Sequence, residues 1–368
     1  MSQANAYREP DAAHRLIAEI REAASDTVRI MEFCGGHTHA IMRYGLRQAL
    51  APQVRMLSGP GCPVCVTDDR EIDHAIALAH LPGVTVATFG DMMRVPGTRE
   101  RLLDARAHGA QVEMVYSALD AIALAQKDPQ RQVVMLGIGF ETTAPTVAAS
   151  ILQAQRAGLS NYSVLSLHKL TPPAMRAILD AGEVRVDAVL GPGHVSAITG
   201  VAAWRFLPEQ YGISCAVSGF EPLDMLRAVR ELVRAANKAP CVSNAYARGV
   251  AEAGNPVAQQ IMGQVFAVGP TAWRGLGEIP GSGLAIREEL AAFDARRRFD
   301  VSEALARPGR SAHERGCRCG EVLRAVIEPD ECPLFGTACT PARPVGPCMV
   351  SGEGACAALY RYGGDLEA

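Results

Sequence analysis

The sequence predicts an α/β protein: two similar α/β domains with parallel-type sheets, followed by a C-terminal domain that is mostly helical or irregular. Short apolar or β-branched runs alternate with helical patterns up to about residue 240. A weak internal repeat divides this part in two. After it, the alternation of strands and helices gives way to helical patterns and then to a stretch rich in Gly, Pro and Cys. The 368 residues have room for two or three domains at roughly 100–200 residues each. We therefore expect domains at 1–125, 126–240 and 241–368.

The alternation of elements begins with residues 10–25, where apolar and charged positions follow a helical period. The predicted strands are Val28–Phe33, Val54–Leu57, Val84–Phe89, Val112–Tyr116, Val133–Ile138, Tyr162–Leu167, Val186–Leu190 and Ile213–Val217. Helical patterns separate most of them, as at Glu71–His80 and Met175–Ala181. This order is typical of parallel sheets whose strands are joined by helices.

The repeat consists of a strand, a histidine, a helix, a second strand and a Gly-Pro-Gly turn. His37 precedes Gly59-Pro60-Gly61 by 22 residues, and His168 precedes Gly191-Pro192-Gly193 by 23. We interpret the repeat as two similarly folded domains. The alternative is a chance likeness, because all βα units share this gross pattern.

The C-terminal part has helical patterns at Ala247–Ala253, Pro256–Phe266 and Arg287–Arg298. After Arg307 the chain is rich in Gly, Pro and Cys and shows little periodicity. Such a segment does not build a conventional hydrophobic core and needs a cross-link to stabilise it. We expect a bound metal to provide this cross-link.

Composition excludes several classes of protein. Net charge is −3 and there is no basic stripe, so we expect no nucleic-acid partner. The chain contains no uncharged run of about 18 or more apolar residues, so no membrane span is expected. The polar N-terminus lacks the apolar region of a signal peptide, which predicts a cytoplasmic protein.

The 11 cysteines are unevenly distributed: three lie between positions 34 and 65, and six between 317 and 356. In a reducing compartment, clustered cysteines indicate a metal site or redox chemistry rather than structural disulfides. Cys215 and Cys241 stand apart, and we expect both to be small buried hydrophobic residues.

The C-terminal array comprises six thiols: Cys317, Cys319, Cys332, Cys339, Cys348 and Cys356. Four thiolates suit structural zinc or an iron–sulfur cluster. The irregular, long spacings and the apolar residues between them favour a [4Fe–4S] cluster. A cluster takes four ligands, so two thiols remain, and these could form a redox pair beside it. Spacing does not choose which four bind.

The first N-terminal motif, Cys34-Gly35-Gly36-His37-Thr38-His39, follows a strand. Ligands bind beyond the carboxyl ends of strands in open α/β sheets, and a thiolate beside two imidazoles suits a transition metal. A Cys–His nucleophile is the competing chemistry. A buried cysteine with two histidines at a helix start is the purely structural alternative.

The second motif, Cys62-Pro63-Val64-Cys65, is a C-P-x-C element between a strand and a helix, which indicates a redox-active dithiol. Asp68 and Glu71 have the spacing of an N-cap pair for the helix that follows. A rigid turn with two buried thiols is the alternative.

Two further motifs follow strands. Residues 139–145 (GFETTAP) offer amides and hydroxyls that could bind an anion or a partner, or Thr142 and Thr143 could act as simple helix caps. Residues 191–196 (GPGHVS) lie at an equivalent strand end. The chain has no Walker-A loop, so ATP hydrolysis is not predicted.

Taken together, these segments resemble the HypD family of [NiFe]-hydrogenase maturation proteins. CGGHTH at 34–39, GPGCPVCVT at 59–67, GFETTAP at 139–145, GPGHVSAITG at 191–200 and CPLFGTACTP through CMVSGEGAC at 332–356 follow the family's motifs in order. The resemblance implies two related α/β domains and a third domain with a [4Fe–4S] cluster. It also implies the chaperone HypC as a partner that shares the iron on which the Fe(CN)₂CO unit is assembled, and HypE as the donor of cyanide.

The resemblance also implies roles for individual residues. Cys34 would hold the iron together with a cysteine of HypC, and Cys62 and Cys65 would be a dithiol–disulfide pair near it. The implied cluster ligands are Cys317, Cys332, Cys339 and Cys356. Cys319 and Cys348 would be the second redox pair.

The resulting hypothesis is a metal-centre assembly scaffold with thiol and iron–sulfur redox activity. Electrons would pass from the cluster through Cys319 and Cys348 to the C-P-x-C pair by thiol–disulfide exchange. His37 and His39 would bind the iron or donate protons and hydrogen bonds to its cyanides. One alternative is a [4Fe–4S]-dependent thiol–disulfide oxidoreductase without a second iron, and another is a zinc-stapled scaffold that only recruits partners.

Overall fold

The computed structural model describes residues 7–236 and 238–363. The strands are β1 Val28–Glu32, β2 Val54–Ser58, β3 Val84–Thr88, β4 Gln111–Met114, β5 Gln132–Gly137, β6 Tyr162–Ser166, β7 Ala188–Pro192, β8 Ser214–Ser218, β9 Val242–Asn244, β10 Phe266–Trp273 and β11 Gly277–Ile286. The helices are α1 Pro10–Ala23, α2 Gly35–Arg43, α3 Leu46–Leu50, α4 Pro63–Val66, α5 Asp69–Ala79, α6 Leu102–Ala107, α7 Ala118–Lys127, α8 Ala144–Arg156, α9 Thr171–Ala181, α10 Gly193–Thr199, α11 Pro222–Ala235, α12 Pro256–Val265, α13 Ala295–Arg298, α14 Ser302–Leu305, α15 Cys319–Leu323 and α16 Ala355–Tyr362. All eight predicted strands are present, so the α/β prediction is confirmed.

Two parallel sheets form the body of the protein. The first has the order β2-β1-β7-β8-β9 and the second the order β4-β3-β5-β6. Both sheets therefore start with the same arrangement, in which the earliest strand lies between the next two strands of its sheet. This common order supports two similarly built sheets.

The sheets are interleaved along the chain, because β3–β6 lie in sequence between β2 and β7. Each sheet thus takes strands from both sides of position 125, and neither is confined to residues 1–125 or 126–240. The predicted repeat does not map onto the two sheets either. Both Gly-Pro-Gly turns belong to the first sheet, whereas His168 follows β6 of the second.

Apolar side chains form three clusters. One packs α1, α3 and α11 against one face of the first sheet, and another packs α7, α8 and α12 against one face of the second. The third joins the remaining face of each sheet to the C-terminal region, and includes Val134, Val189, Trp204 and Trp273. The C-terminal cysteines belong to this shared core, so they lie deep in the protein.

The C-terminal part contains several elements that the sequence did not predict, and the longest of them is the antiparallel hairpin of β10 and β11. Pro270 interrupts the alternation, and the register shifts between Gly269 and Thr271. The helix predicted at Pro256–Phe266 is confirmed as α12, but Ala247–Ala253 forms turns. No helix in the described part of the chain combines the length and apolar character needed to cross a bilayer.

Candidate metal and thiol site

Cys34 lies at the carboxyl end of β1, where it is the N-cap residue of α2. In the first sheet, β2 pairs with one edge of β1 and β7 pairs with the other. The strand order reverses at β1, and in open α/β sheets such a reversal opens a crevice at the carboxyl ends of the strands. The amide of Gly35 donates to the carbonyl of Gly61 at 2.8 Å. A Cβ on Gly61 would lie 2.3 Å from the Cys34 amide nitrogen, so only glycine allows this approach. The first two motifs are thereby brought into contact.

The thiol of Cys34 lies beside negatively charged groups. Burial, together with the charges of Glu353 and Glu32, raises its pKa to about 12, against the opposing effect of the His37 and Gly36 amides. At neutral pH the group is therefore a thiol. A metal that binds this sulfur must displace its proton.

Two carboxyl groups, of which only Glu32 is fully buried, flank Cys34. Glu32 accepts hydrogen bonds from the Cys34 amide at 2.9 Å and from the hydroxyl of Thr38, and burial raises its pKa to about 7. Glu353 arrives from the C-terminal segment, and a Cβ on Gly35 would lie 2.9 Å from its carboxylate oxygen. Burial and the charge of Asp91 raise the pKa of Glu353. A cation at Cys34 would offset the charge of both groups.

The sequence analysis missed both carboxyl groups. Glu32 directly precedes the first motif, and this adjacency was the available signal. Glu353 lies more than 300 residues away in the chain, and only folding brings it to Cys34.

The two histidines of the first motif are held by backbone carbonyls. His37 is fully buried and donates from Nε2 to Gly219 O at 2.9 Å, and burial lowers its pKa to about 4. Its buried Nδ1 has no partner within the described chain. His39 donates from Nδ1 to Gly352 O at 3.1 Å. One imidazole thus ties α2 to the end of β8, and the other ties it to the C-terminal segment.

Phe220 and His194 complete the wall of the crevice. The Phe220 ring stacks between His37 and His194, at centroid distances of 4.7 and 3.9 Å. A Cβ on Gly36 would lie 3.0 Å from the Phe220 ring, so this ring packs against the loop that carries Cys34. His194 belongs to the fourth motif and is exposed, which places that motif at the same crevice.

The second motif forms a short helix, with Cys62 as its N-cap residue. A disulfide joins Cys62 to Cys65, both buried, with 5.2 Å between their Cα atoms. Asp68 and Glu71 form the predicted capping box of α5, and this prediction is confirmed. The Cys65 sulfur lies 3.9 Å from Pro347 O, the residue before Cys348. The dithiol element therefore contacts the C-terminal cysteine segment.

The six C-terminal cysteines surround one small apolar cavity. Phe335 and Met349 also line it, and the members of the thiol set are Cys317, Cys319, Cys332, Cys339, Cys348 and Cys356. All six are buried. Six sulfur donors in an apolar cavity fit the ligand chemistry of an iron–sulfur cluster. Among the described residues, no group of three or more His, Cys, Asp or Glu side chains has the spacing that a single metal ion requires.

Four of these thiols interact in a row, in the order Cys317, Cys319, Cys348 and Cys356. Cys319 accepts hydrogen bonds from Cys317 and Cys348, and these lower its pKa well below the usual range. The pKa of Cys348 is raised, first by its bond to Cys319 and then by its bond to Cys356. Cys319 and Cys348 are therefore neighbours within the cavity.

The tip of the β10–β11 hairpin joins the second motif to the C-terminal thiols. Arg274 is buried, donates from Nε to Thr67 O at 2.9 Å and pairs with Asp69. Its Nη2 has no partner among the residues described, and Cys319 lies close enough to raise its pKa. Behind the tip, the buried Lys169 bonds Glu71 at 2.9 Å. Buried charges thus fix the hairpin against α5.

The GFETTAP motif has a structural use in this fold. Glu141 is buried and accepts from the amide and hydroxyl of Thr171 at 2.8 and 2.9 Å. Thr143 occupies the N-cap position of α8 but donates to Ile138 O at 2.8 Å and does not cap the helix with its side chain. The simple-cap alternative is therefore not what the structure shows for Thr143.

The two isolated cysteines differ from each other. Cys215 is buried in β8, as predicted. Cys241 is exposed, so the prediction of a buried residue was wrong. It lies directly before β9, which is the edge strand of the first sheet and pairs only with β8.

Comparison with known proteins extends over nearly the whole chain. The HypD family, described as the hydrogenase formation hypA family, matches residues 11–363. A hydrogenase maturation factor HypD of Azotobacter vinelandii is 47% identical, with 100% of this chain and 98% of that protein aligned. Proteins of the same name from Cupriavidus necator and Escherichia coli are 46% and 44% identical, each over 97% of this chain and 96% of its own length. This chain belongs to the HypD family of hydrogenase maturation factors.

Proposed function

We propose that this protein is a scaffold on which, together with a HypC-type chaperone, iron receives the ligands of the Fe(CN)₂CO unit of [NiFe]-hydrogenase. The observation that carries the proposal is a continuous series of contacts between cysteine-bearing segments. It runs from the six-cysteine cavity through Pro347 and Cys65 to Gly61 and Cys34. The proposed place of this work is the reducing cytoplasm, where thiols can cycle between the free and disulfide-bonded forms.

Cys34 is the proposed anchor for the iron, which is the cargo of the reaction. A thiolate is a soft ligand for low-spin iron that carries cyanide and CO. Metal binding replaces the thiol proton, and the neighbouring carboxyls Glu32 and Glu353 favour the positive charge that arrives. A cysteine of the HypC-type chaperone supplies a second sulfur, and a HypE-type protein delivers cyanide. The exposed His194 lies in the same crevice and has a ring N–H to offer those ligands, whereas the N–H of neutral His37 is already donated to Gly219 O.

The six-cysteine cavity is the proposed site of a [4Fe–4S] cluster held by Cys317, Cys332, Cys339 and Cys356. When bound, such a cluster gives and accepts electrons one at a time. Cys319 and Cys348 are the proposed remaining pair, and they are neighbours in the cavity, as such a pair must be.

The two cysteine pairs can exchange electrons by thiol–disulfide exchange. A thiolate of the Cys319/Cys348 pair attacks the Cys62–Cys65 disulfide and forms a mixed disulfide. The second thiol of that pair then releases the N-terminal pair as two thiols, and a new disulfide joins Cys319 and Cys348. The contact of Cys65 with Pro347 brings the reacting segments together.

The proposal is tested by infrared spectroscopy of protein purified anaerobically with its HypC-type partner, alongside iron and sulfide analysis. We expect two bands from metal-bound cyanide and one from CO, and iron beyond the content of one cluster. Cys34→Ala should lose these bands and keep the cluster iron, whereas the exposed control Cys241→Ala should keep both. Bands that persist in Cys34→Ala would contradict the anchoring role. If the protein contains the cluster iron and reduces disulfides but shows no cyanide or CO bands, the thiol–disulfide oxidoreductase is favoured instead.

A further inference from the structure

The tip of the β10–β11 hairpin is held between the two groups of thiols. On one side, the amide of Arg274 donates to Val66 O at 2.9 Å, directly after the C-P-x-C element. On the other side, a Cβ on Gly275 would lie 2.3 Å from the Cα of Gly320, so backbone packs directly on backbone there. The tip therefore has little freedom to move relative to the first turn of α15.

Arg274 is the buried cation of this tip, and only 5% of the residue is exposed. Its Nε donates to Thr67 O, and its Nη1 pairs with Asp69. Its Nη2 has no partner in the part of the chain that the structure describes. Buried donor groups normally have a partner, so this guanidinium retains the capacity to stabilise a further negative group.

Two cysteines form a wall between Arg274 and the six-cysteine cavity. Cys317 and Cys319 line that cavity, and they also line a cleft whose wall includes Arg274. Hydrogen bonds from Cys317 and Cys348 contribute most to the low pKa of Cys319, and the charge of Arg274 lowers this pKa further. The guanidinium therefore acts electrostatically on the sulfur atoms of the wall.

The other charged groups of this cleft are closer to solvent than Arg274. Those with partly or largely exposed side chains are Asp68, His313, Arg318, Glu321 and Arg324. Water and salt screen such charges, whereas buried charges are screened much less. Arg274 and Asp69 have only 5% and 15% of their side chains exposed. This pair is therefore the charged group of the cleft that acts most strongly on the cavity.

We infer that Arg274, through the charge it holds beside the cysteine cavity, sets the reduction potential of the [4Fe–4S] cluster proposed there. This inference rests on the proposed function, because it concerns the cluster of the same site. Reduction moves one electron from a one-electron donor to the cluster and breaks no bond. The added negative charge is stabilised by a nearby buried cation. Arg274 thus favours the reduced form, and its partner Asp69 opposes it.

The test is a redox titration of the full-length protein, purified anaerobically with its cluster and held at pH 8. Dithionite is the reductant, mediator dyes equilibrate it with the protein, and the electron paramagnetic resonance signal measures the reduced cluster. The variants are Arg274→Met, Asp69→Asn and the double variant. Iron and sulfide analysis accompanies every titration.

Arg324→Met is the matched control for loss of packing. Arg324 donates to Gly275 O and Gly320 O, so this substitution loosens the contact between the hairpin tip and α15. It leaves the buried cation in place. A change in potential that came from a loosened tip would appear in this control as well.

We expect Arg274→Met to lower the equilibrium constant for cluster reduction by about tenfold, which is about 59 mV for a one-electron couple. Asp69→Asn should raise this constant by a similar factor. The double variant should return close to the wild-type value, because the pair carries no net charge in either protein. Arg324→Met should change the constant by less than about twofold, since its charge is paired and partly exposed.

Equal midpoint potentials in the wild type and Arg274→Met, or shifts of the same sign in both single variants, would overturn the inference and leave the proposed cluster standing. Asp69→Asn keeps the size of the side chain and decides the question if Arg274→Met does not retain the cluster. A raised potential in Asp69→Asn then supports the inference, and an unchanged one overturns it. Wild-type protein with neither iron nor sulfide after anaerobic reconstitution would instead overturn the proposed cluster, and this inference with it.

Discussion

The buried carboxyl of Glu141 makes the stability of the second sheet depend on pH. Burial raises its pKa from 4.5 to about 7, although the amide and hydroxyl of Thr171 stabilise the charged form. The folded protein therefore keeps a proton on Glu141 in a pH range where the unfolded chain has lost it. The stabilising effect of that bound proton is complete below the unfolded pKa and is lost as pH rises through the folded pKa.

The expected size of this effect follows from the two pKa values. At roughly 1.4 kcal/mol per pH unit, ionisation of Glu141 costs the folded state on the order of 3 kcal/mol at pH 8. Glu141→Gln keeps the shape and an acceptor for Thr171 but removes the ionisation. We expect the variant to gain about 2–3 kcal/mol in unfolding free energy relative to the wild type between pH 5 and pH 8.

The assay is urea unfolding of both proteins across this pH range, under anaerobic conditions and with equal cluster content. The comparison cancels every other titrating group, including Glu32, whose pKa is also about 7. A constant difference in free energy between the two proteins from pH 5 to pH 8 would refute the reasoning. It would mean that Glu141 titrates alike in the folded and unfolded chains.

Three further substitutions test other parts of the structure. Lys169→Met removes the nearer of the two cations that pair with the buried Glu71, leaving Arg296 at 3.9 Å, and should lower the free energy of unfolding by about 3 kcal/mol, measured in urea. Gly61→Ala places a Cβ 2.3 Å from the amide of Cys34 and should change the alkylation rate of that thiol and weaken iron retention, measured by mass spectrometry and iron analysis. Cys348→Ser removes one member of the proposed second pair, so the C-P-x-C disulfide should stay oxidised when an electron carrier is supplied, and alkylation of the free thiols measures this.

Each of these expectations has a direct control. The exposed pair Arg205–Glu252 should contribute less than about 1 kcal/mol, so Arg205→Met is the control for Lys169→Met. Gly212→Ala has no neighbour within 4 Å of its added Cβ and controls for loss of a glycine, although its positive φ adds strain. Unchanged alkylation of Cys34 in Gly61→Ala, or full reduction of the disulfide in Cys348→Ser, would contradict the contacts on which the predictions rest.

Local sequence patterns were sufficient to predict the strands of both sheets. Runs such as Val84–Thr88 and Val133–Leu136 are apolar and β-branched because both faces of a parallel sheet are covered. Which strands pair was not predictable in the same way. The neighbour of β1 is β7, more than 150 residues later, and no local pattern encodes that distance. The β10–β11 hairpin escaped prediction because Pro270 and its neighbouring glycines weaken the period-2 signal.

The candidate site shows the same division between local and distant information. Cysteine is rare and chemically distinctive, so the positions and spacing of the cysteines were enough to single out Cys34 and the C-terminal array as site residues. Glutamates are common on protein surfaces, and nothing in the sequence marks Glu353 as a neighbour of the first motif. The stacked Phe220 is equally inconspicuous, because its position depends on β7 and β8 lying beside β1.

The insertion of one sheet within the other has a consequence for synthesis on the ribosome. β1 and β2 emerge first, but their sheet is incomplete until β7–β9 follow, more than 125 residues after β2. The four strands of the inserted sheet emerge consecutively and can pair in the meantime. During that interval Cys34 and the C-P-x-C thiols have left the ribosome while the crevice that buries them does not yet exist. The nascent chain therefore passes through a stage in which its most reactive sulfurs are accessible to solvent, oxidants and metals.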